Sequence, residues 1–340
     1  MKIDVELMPD LVSEVPRLAE RAEELGFDGL WVNETKHDAF VQVALAAANT
    51  ERLAVGTAIA LAFTRSPTAL AYAAWDIQSI AGGRFVLGLG SQVKGHIERR
   101  FGTVWVAPGS KMREVVQILR ILWKNWQTGE PVDFDGKHFK INLMTPFFSP
   151  PPLARPVIPI FLAGVNPRMC RLAGELGDGL HVHPLHSVKY LKEVVIKAVS
   201  EGLRKSGRDR TSLVLAGSVF FAAGNNDKEI RKMKQECRKQ ISFYASTRTY
   251  RPVLEEHGWG DVCDRLHEKS MKGLWSEMAS EITDDMLEEF VIEGTWDEIL
   301  NRVKERYVGI LDRVRLYFPF DDSPSWRTFA RGLKEPKNTS

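Results

Sequence analysis

The chain has 340 residues, a formal net charge of +2, 44% apolar and 26% charged residues. That length can bury a large core, as one α/β barrel or two ordinary domains, and the near-zero charge gives no bulk electrostatic case for nucleic acid. Three scattered cysteines suit free thiols in a reducing compartment, no stretch is long and apolar enough to cross a membrane, and a cytoplasmic protein is expected.

Ile3 to Leu7 is the first strand candidate. A helix follows over Leu11 to Leu25, with Leu11, Val15, Leu18, Ala22 and Leu25 on one face, and Gly26 stops it. Asp28 to Val32 is the second strand, Ala39 to Asn49 a helix, and Leu53 to Ile59 the third strand. Ser66 as N-cap and Pro67 in the first turn start a helix that reaches Ile80. Phe85 to Leu89 is a short apolar run, as expected of a parallel strand covered by helices on its outer side. Lys111 to Trp126 is an amphipathic helix.

The rhythm breaks over 127–155. GEPVDFDGKHF carries a hairpin signal at Asp135-Gly136, and the prolines of MTPFFSPPP forbid a helix, so the segment reads as an insertion over a barrel mouth. Strand and helix then alternate again: Val157 to Leu162, Pro167 to Leu176, Gly179 to Val182, Ser187 to Lys205, Ser212 to Ala222 and Lys228 to Tyr244. A second interruption, 245–294, reads as helical and charged. Thr295 and Glu298 form a capping box for a helix to Tyr307, and Val314 to Phe318 is the eighth strand. Asn338-Thr339-Ser340 spells a glycosylation sequon, read as chance in a polar tail. Eight strands, each followed by a helix, predict a single (β/α)8 TIM barrel over 1–340 with insertions after strands 4 and 7. A doubly wound sheet with a second domain is the alternative.

In such a barrel the C-terminal strand ends carry the chemistry. They bear Asn33-Glu34, with His37 close behind, then Ala58-Ile59, Ser91-Gln92-Val93, Ala163-Gly164-Val165 and His181-Val182-His183. Small and apolar residues with a few titratable ones suit a planar organic cofactor. Gly88 and Gly90 lack side chains, which would let a flat ligand approach the backbone. Glu34 is a candidate proton donor or acceptor, or a structural partner of Lys36. His37 is the alternative base. His181, His183 and His186 invite a metal reading, but no nearby carboxylate or cysteine completes a familiar ligand set, so no metal is expected. Asn166-Pro167-Arg168 opens a helix and offers an anion site beside a plain capped-helix reading. GLGSQVKG fails the dinucleotide fingerprint, and the basic cluster Lys94, His96, Arg99 and Arg100 follows it.

Four pieces carry a family resemblance: ELGFDGLWVNETKHDAF, the long TERLAVGTAIALAFTRSPTALAYAAWDIQSIAGGRFVLGLGSQVKGHIERRFG, FLAGVNPRMCRLAGELGDGLHVHP and YASTRTYRPVLEEHGW. The chain resembles the bacterial-luciferase-like oxidoreductases, in the branch that uses the deazaflavin coenzyme F420. The resemblance implies a (β/α)8 barrel and hydride transfer between F420 and a small organic substrate. Carried over, Ala58-Ile59 is the bulge that backs the ring, with a cis peptide between them. Ser91, Gln92 and Val93 meet the ring's polar edge. Ala163, Gly164 and Val165 meet the side chain and phosphate, with Arg168 nearby, and His183 faces substrate. Some members carry an Asp-His pair where this chain has Asn33-Glu34, so the proton-moving residue departs from the pattern. Other members use FMN and oxygen, which leaves an FMN monooxygenase or a non-catalytic flavin-binding protein as alternatives. A homodimer through the alanine-rich helices starting near Ala39 and Pro67 is expected.

Overall fold

Alternation of side chains along each strand explains how one short sequence run can face two environments. In β1 (Lys2–Leu7) the apolar Ile3, Val5 and Leu7 are buried under helices, and Asp4 and Glu6 alternate with them. The other barrel strands are β2 (Gly29–Val32), β3 (Ala54–Thr57), β4 (Phe85–Gly90), β5 (Ile160–Gly164), β6 (Gly179–Val182), β7 (Val214–Gly224) and β8 (Arg313–Leu316). All neighbouring pairs are parallel, and β6 pairs with β7 while β8 pairs with β1, so the ring closes as an eight-stranded barrel. This computed structural model describes residues 1–333; the sequon at 338–340 lies outside the described residues.

The helices of the first half are α1 (Val15–Leu25), α2 (Ala39–Ala48), α3 (Pro67–Ile80), α4 (Pro108–Thr128) and α5 (Pro167–Leu176). Local signals set their ends. Gly26 ends α1 at φ 94°, where a side chain would be strained, and the Asp38 and Ser66 side chains accept N–H bonds from the first turns of α2 and α3. Asn166 stands at the start of α5 but does not cap it with its side chain. Its amide instead donates to the Thr249 carbonyl at 3.2 Å, tying the loop at 246–250 to this helix start.

Among the boundaries that differ from expectation, three belong to strands three, five and seven. The third strand divides into Ala54–Thr57 and Ala60–Leu61, with a cis Ala58–Ile59 peptide between them, as the family bulge implied. The fifth starts at Ile160 rather than Val157, because Pro156 and Pro159 lack N–H donors for the ladder and Val157 is exposed. The seventh runs two residues further, to Gly224, and pairs beyond the barrel with a strand at Val291–Thr295.

Two segments interrupt the alternation of barrel strands and helices. The hairpin Phe134–Asp135 with Lys140–Ile141 lies along α4, where Glu114 accepts the backbone N–H groups of Lys137, His138 and Phe139 at 2.8–3.0 Å. The chain then returns along α3, with Tyr72 donating to the Phe148 carbonyl, Trp75 to Pro151 and Gln78 to Arg155 and Val157. This segment therefore packs against α3 and α4. The second insertion is better bounded as 225–290, from the end of β7 to the extra strand. It includes the helices Asp227–Ala245 and Gly260–Met271, and the barrel helix that follows it is α6 (Ile299–Tyr307). Residues 291–294, expected within the helical interruption, form with Thr295 the extra strand that follows the helix Asp284–Phe290.

Candidate active site

The inside of the barrel is built from the charged residues that alternate with apolar ones in β1 and β8. Arg313 grips Asp4 through two bonds, at 2.8 and 2.6 Å, and Trp31 donates to the same carboxylate at 2.8 Å. The Arg313 guanidinium lies over the Trp31 ring, and His181 meets that ring edge-on at 4.9 Å. Two residues further along the same strands, Arg315 pairs with Glu6 at 2.7 Å and Asn33 donates to Glu6. Burial pushes the Glu6 carboxyl up, against the lowering effects of Arg315 and Asn33. Glu6, Arg315 and Asn33 thus form a polar floor beneath the mouth.

His183 sits above this floor in an aromatic cluster. Its ring stacks on Tyr250 at 4.3 Å and meets Tyr244 edge-on at 4.5 Å. The Tyr244 and Tyr317 hydroxyls are 2.8 Å apart. His183 Nδ1 accepts the Leu185 N–H at 3.1 Å, so a neutral ring carries its proton on Nε2. Burial, with smaller contributions from His186 and Arg315, holds the His183 pKa down at about 3. The ring is therefore neutral at physiological pH and offers an N–H donor. His186 is committed elsewhere, with Nδ1 2.7 Å from the His183 carbonyl oxygen. Among the described residues no three His, Cys, Asp or Glu side chains are grouped to hold a metal.

On the other side of the mouth, β3, β4 and β5 are consecutive neighbours, and they bring together Ala58, Ile59, Ser91, Gln92, Val93, Ala163, Gly164 and Val165. The glycines here serve protein packing rather than ligand approach. A Cβ on Gly88 would stand 1.9 Å from the Thr57 carbonyl oxygen and 2.8 Å from His181, and one on Gly90 would meet the Ile59 side chain at 2.5 Å. Ile59, Ser91, Ala163 and Val165 remain half-buried and line a shallow face of small side chains. Arg168 lies against the first turn of α4, where a Cβ on Gly109 would come within 3.1 Å of its Nε. Neither α4 nor α5 has a side-chain cap, so a guanidinium and two helix N-termini adjoin, an arrangement that favours an anion.

The strand-two candidates are placed differently from expectation. Both Glu34 oxygens are engaged, by Arg65 at 2.6 and 2.9 Å and by the Leu61 N–H at 2.8 Å; the partner is Arg65 and not Lys36, which pairs with Asp10. His37 Nε2 is 3.1 Å from the Asp10 carbonyl, a contact between two loops. Within the basic cluster, Arg100 donates to the Thr35 carbonyl and Lys94 faces Glu98 at 3.9 Å. Sequence reasoning missed Glu6, Arg315, Tyr244, Tyr250 and Tyr317. The first two were signalled by the D-V-E and R-V-R alternations of the first and last strands; the tyrosines carried no local signal.

The luciferase-like monooxygenase family matches residues 3–313. An uncharacterized protein of Mycobacterium tuberculosis is 42% identical over 314 residues, covering 92% of each chain. The 5,10-methylenetetrahydromethanopterin reductase of Archaeoglobus fulgidus is 31% identical over 313 residues, covering 90% of each. Among solved structures, the coenzyme F420 dependent tetrahydromethanopterin reductase of Methanopyrus kandleri superposes with a TM-score of 0.79 at 22% identity, over 97% of both chains. With a closed (β/α)8 barrel and a match that spans nearly all of it, this chain belongs to the luciferase-like monooxygenase family, whose members are oxidoreductases.

Proposed function

We propose that this protein is an oxidoreductase that binds the deazaflavin coenzyme F420 at the barrel mouth and moves a hydride between it and a small organic substrate. The observation that carries the reading is the pairing of a half-buried face of small residues, Ile59, Ser91, Ala163 and Val165, with an anion locus at Arg168 and the starts of α4 and α5. A flat ring fits the first, and a ribityl phosphate the second. The name of the Methanopyrus kandleri reductase, whose structure is similar, supports the coenzyme class. When bound, the coenzyme supplies a ring carbon that gives or takes the hydride.

The chain's own residues supply the rest. Ser91, Gln92 and Val93 would meet the polar edge of the ring, and Gly164, Val165 and Arg168 its phosphate arm. Neutral His183 would donate through Nε2 to a substrate oxygen, with Tyr244 and Tyr250 fixing the plane of its ring. Glu6, paired with Arg315 and Asn33, would hold the polar floor beneath the substrate. An FMN-dependent monooxygenase is the other reading. It needs a cover that excludes water, and segment 131–152, which packs against α3 and α4, is the candidate for that cover.

Titration of the purified protein with F420 and with FMN, followed by intrinsic fluorescence, tests the proposal. We expect saturable F420 binding tighter than FMN binding, and retained F420 in the mass spectrum of protein made in an F420-producing host. Equal or tighter FMN binding would overturn it.

A further inference from the structure

We propose that Glu34 and Arg65 are a positioning clamp that sets the backbone of residues 58–61 as the backing of the coenzyme, and that Glu34 does not itself move the proton. The inference rests on the F420 reading for what the clamp serves, and on the contacts alone for the clamp. Strand two's end is sewn to the bulge on both sides: Ala58 donates to the Val32 carbonyl at 2.7 Å, and Glu34 to the Ile59 carbonyl at 3.2 Å. The Glu34 side chain adds the third stitch, accepting the Leu61 N–H at 2.8 Å.

Arg65 then locks that carboxylate. Its two terminal nitrogens reach the two Glu34 oxygens at 2.9 and 2.6 Å, and the second also reaches Asp38. Asp38 caps α2 through the N–H groups of Phe40 and Val41, and the Arg65 guanidinium lies 5.1 Å from the centre of the Phe40 ring. One guanidinium therefore joins the end of β2, the start of α2 and the segment 58–61. The Glu34 side chain is 8% exposed and that of Arg65 21%, so the pair is shielded from solvent competition. To take a proton, Glu34 would have to release Arg65 and leave a half-buried guanidinium with Asp38 as its one remaining carboxylate partner and the Thr64 hydroxyl beside it. Ile59, held from both sides, is the residue whose side chain fills the space over Gly90. The clamp thus decides where the ring's backing stands.

Two measurements test this. In coenzyme-free protein, hydrogen exchange at the Ala60 and Leu61 amides should rise about tenfold or more in Glu34→Ala and Arg65→Met, the scale of losing a bond to a charged group. Glu34→Gln, which keeps an oxygen for Leu61, should rescue most of that protection. In fluorescence titration, the Kd for F420 should rise about tenfold in the Ala and Met variants and far less in Glu34→Gln. The pH dependence of F420 binding should keep the wild-type shape in Glu34→Gln. Unchanged exchange at 60–61 in Glu34→Ala overturns the clamp, and so does loss of a pH-dependent limb in Glu34→Gln, which would mark Glu34 as a titrating group. If the wild type binds neither F420 nor FMN, the coenzyme reading fails, while the exchange data still decide the clamp.

Discussion

At the scale of single residues, burial has separated the three histidines of β6 and its loop from their ordinary behaviour. All three are depressed below the usual 6.5: His181 well below it, His183 to about 3 and His186 to about 4. The unfolded chain therefore takes up protons as pH falls through 6.5, and the folded chain does not until much lower values. The stability that neutral histidines confer is complete above 6.5 and is lost progressively towards about 4. The depressed carboxylates Glu23, Glu175 and Glu281 act the same way only below about 4.5, their ordinary value, so the upper part of the window belongs to the histidines. Glu6, raised by burial, works against both. Denaturant midpoints measured from pH 7 to pH 5 should fall steadily, and His186→Gln should flatten that slope. A wild-type midpoint independent of pH across this window would contradict the assignment. Gly88 is a second residue-scale case. With a Cβ 1.9 Å from the Thr57 oxygen, Gly88→Ala should destabilise by about 3 kcal/mol or more, at the upper end of overpacking effects, read by urea denaturation.

At the scale of elements, the hairpin over 134–141 is held by Glu114 and by Ser110, whose hydroxyl lies 2.8 Å from His138 Nε2. Glu114 is 8% exposed and takes three consecutive N–H groups from a turn that buries little of its own. Lys111, placed over both Phe63 and Phe139, is a further tie between hairpin and rim. Glu114→Ala should raise amide exchange at 137–139 about tenfold or more, since each lost acceptor is charged. The strands of the barrel should exchange as before, because none of them contacts that carboxylate. Loss of protection throughout the barrel would show instead that the hairpin is part of the cooperative core.

At the scale of the whole molecule, α2 and α3 face outward without the charges a solvated helix carries. Among their 24 residues the only charged side chain is Asp76. Of the alanines expected at an interface, Ala46, Ala47, Ala71 and Ala74 are buried against the barrel, whereas Ala44, Ala48, Ala69 and Ala73 are not. Val41 is 51% exposed and Ile80 50%, and Phe147 and Phe148, beside Tyr72, extend the same apolar surface at 90% and 58%. We expect a second copy to cover this face. Light scattering at micromolar concentration should give a dimer, and Val41→Glu with Ala73→Glu should give a folded monomer. A monomeric wild type would remove the expectation.

What the sequence determined by itself was the periodic part of this protein. Eight apolar runs between amphipathic helices, stopped by glycines and started by Ser66, Asp38 or proline, made the (β/α)8 barrel legible, because local patterning and local capping act over a few residues. The strand ends, and with them Ile59, Ser91, Ala163 and His183, followed from the barrel. Tertiary structure decided what those residues do. Glu34 had Lys36 as its nearest candidate partner in sequence because Arg65 is 31 residues away, and the glycines looked open because Thr57 and Ile59 fill their space only once β3 lies beside β4. Tyr244 and Tyr250 reach His183 from an insertion, Tyr317 just past the last strand reaches Tyr244, and the 129–159 segment lies on α3 and α4 because its carbonyls and N–H groups find partners there. Such contacts join residues tens to hundreds of positions apart, and no short-range pattern encodes which distant side chain will satisfy a buried polar group.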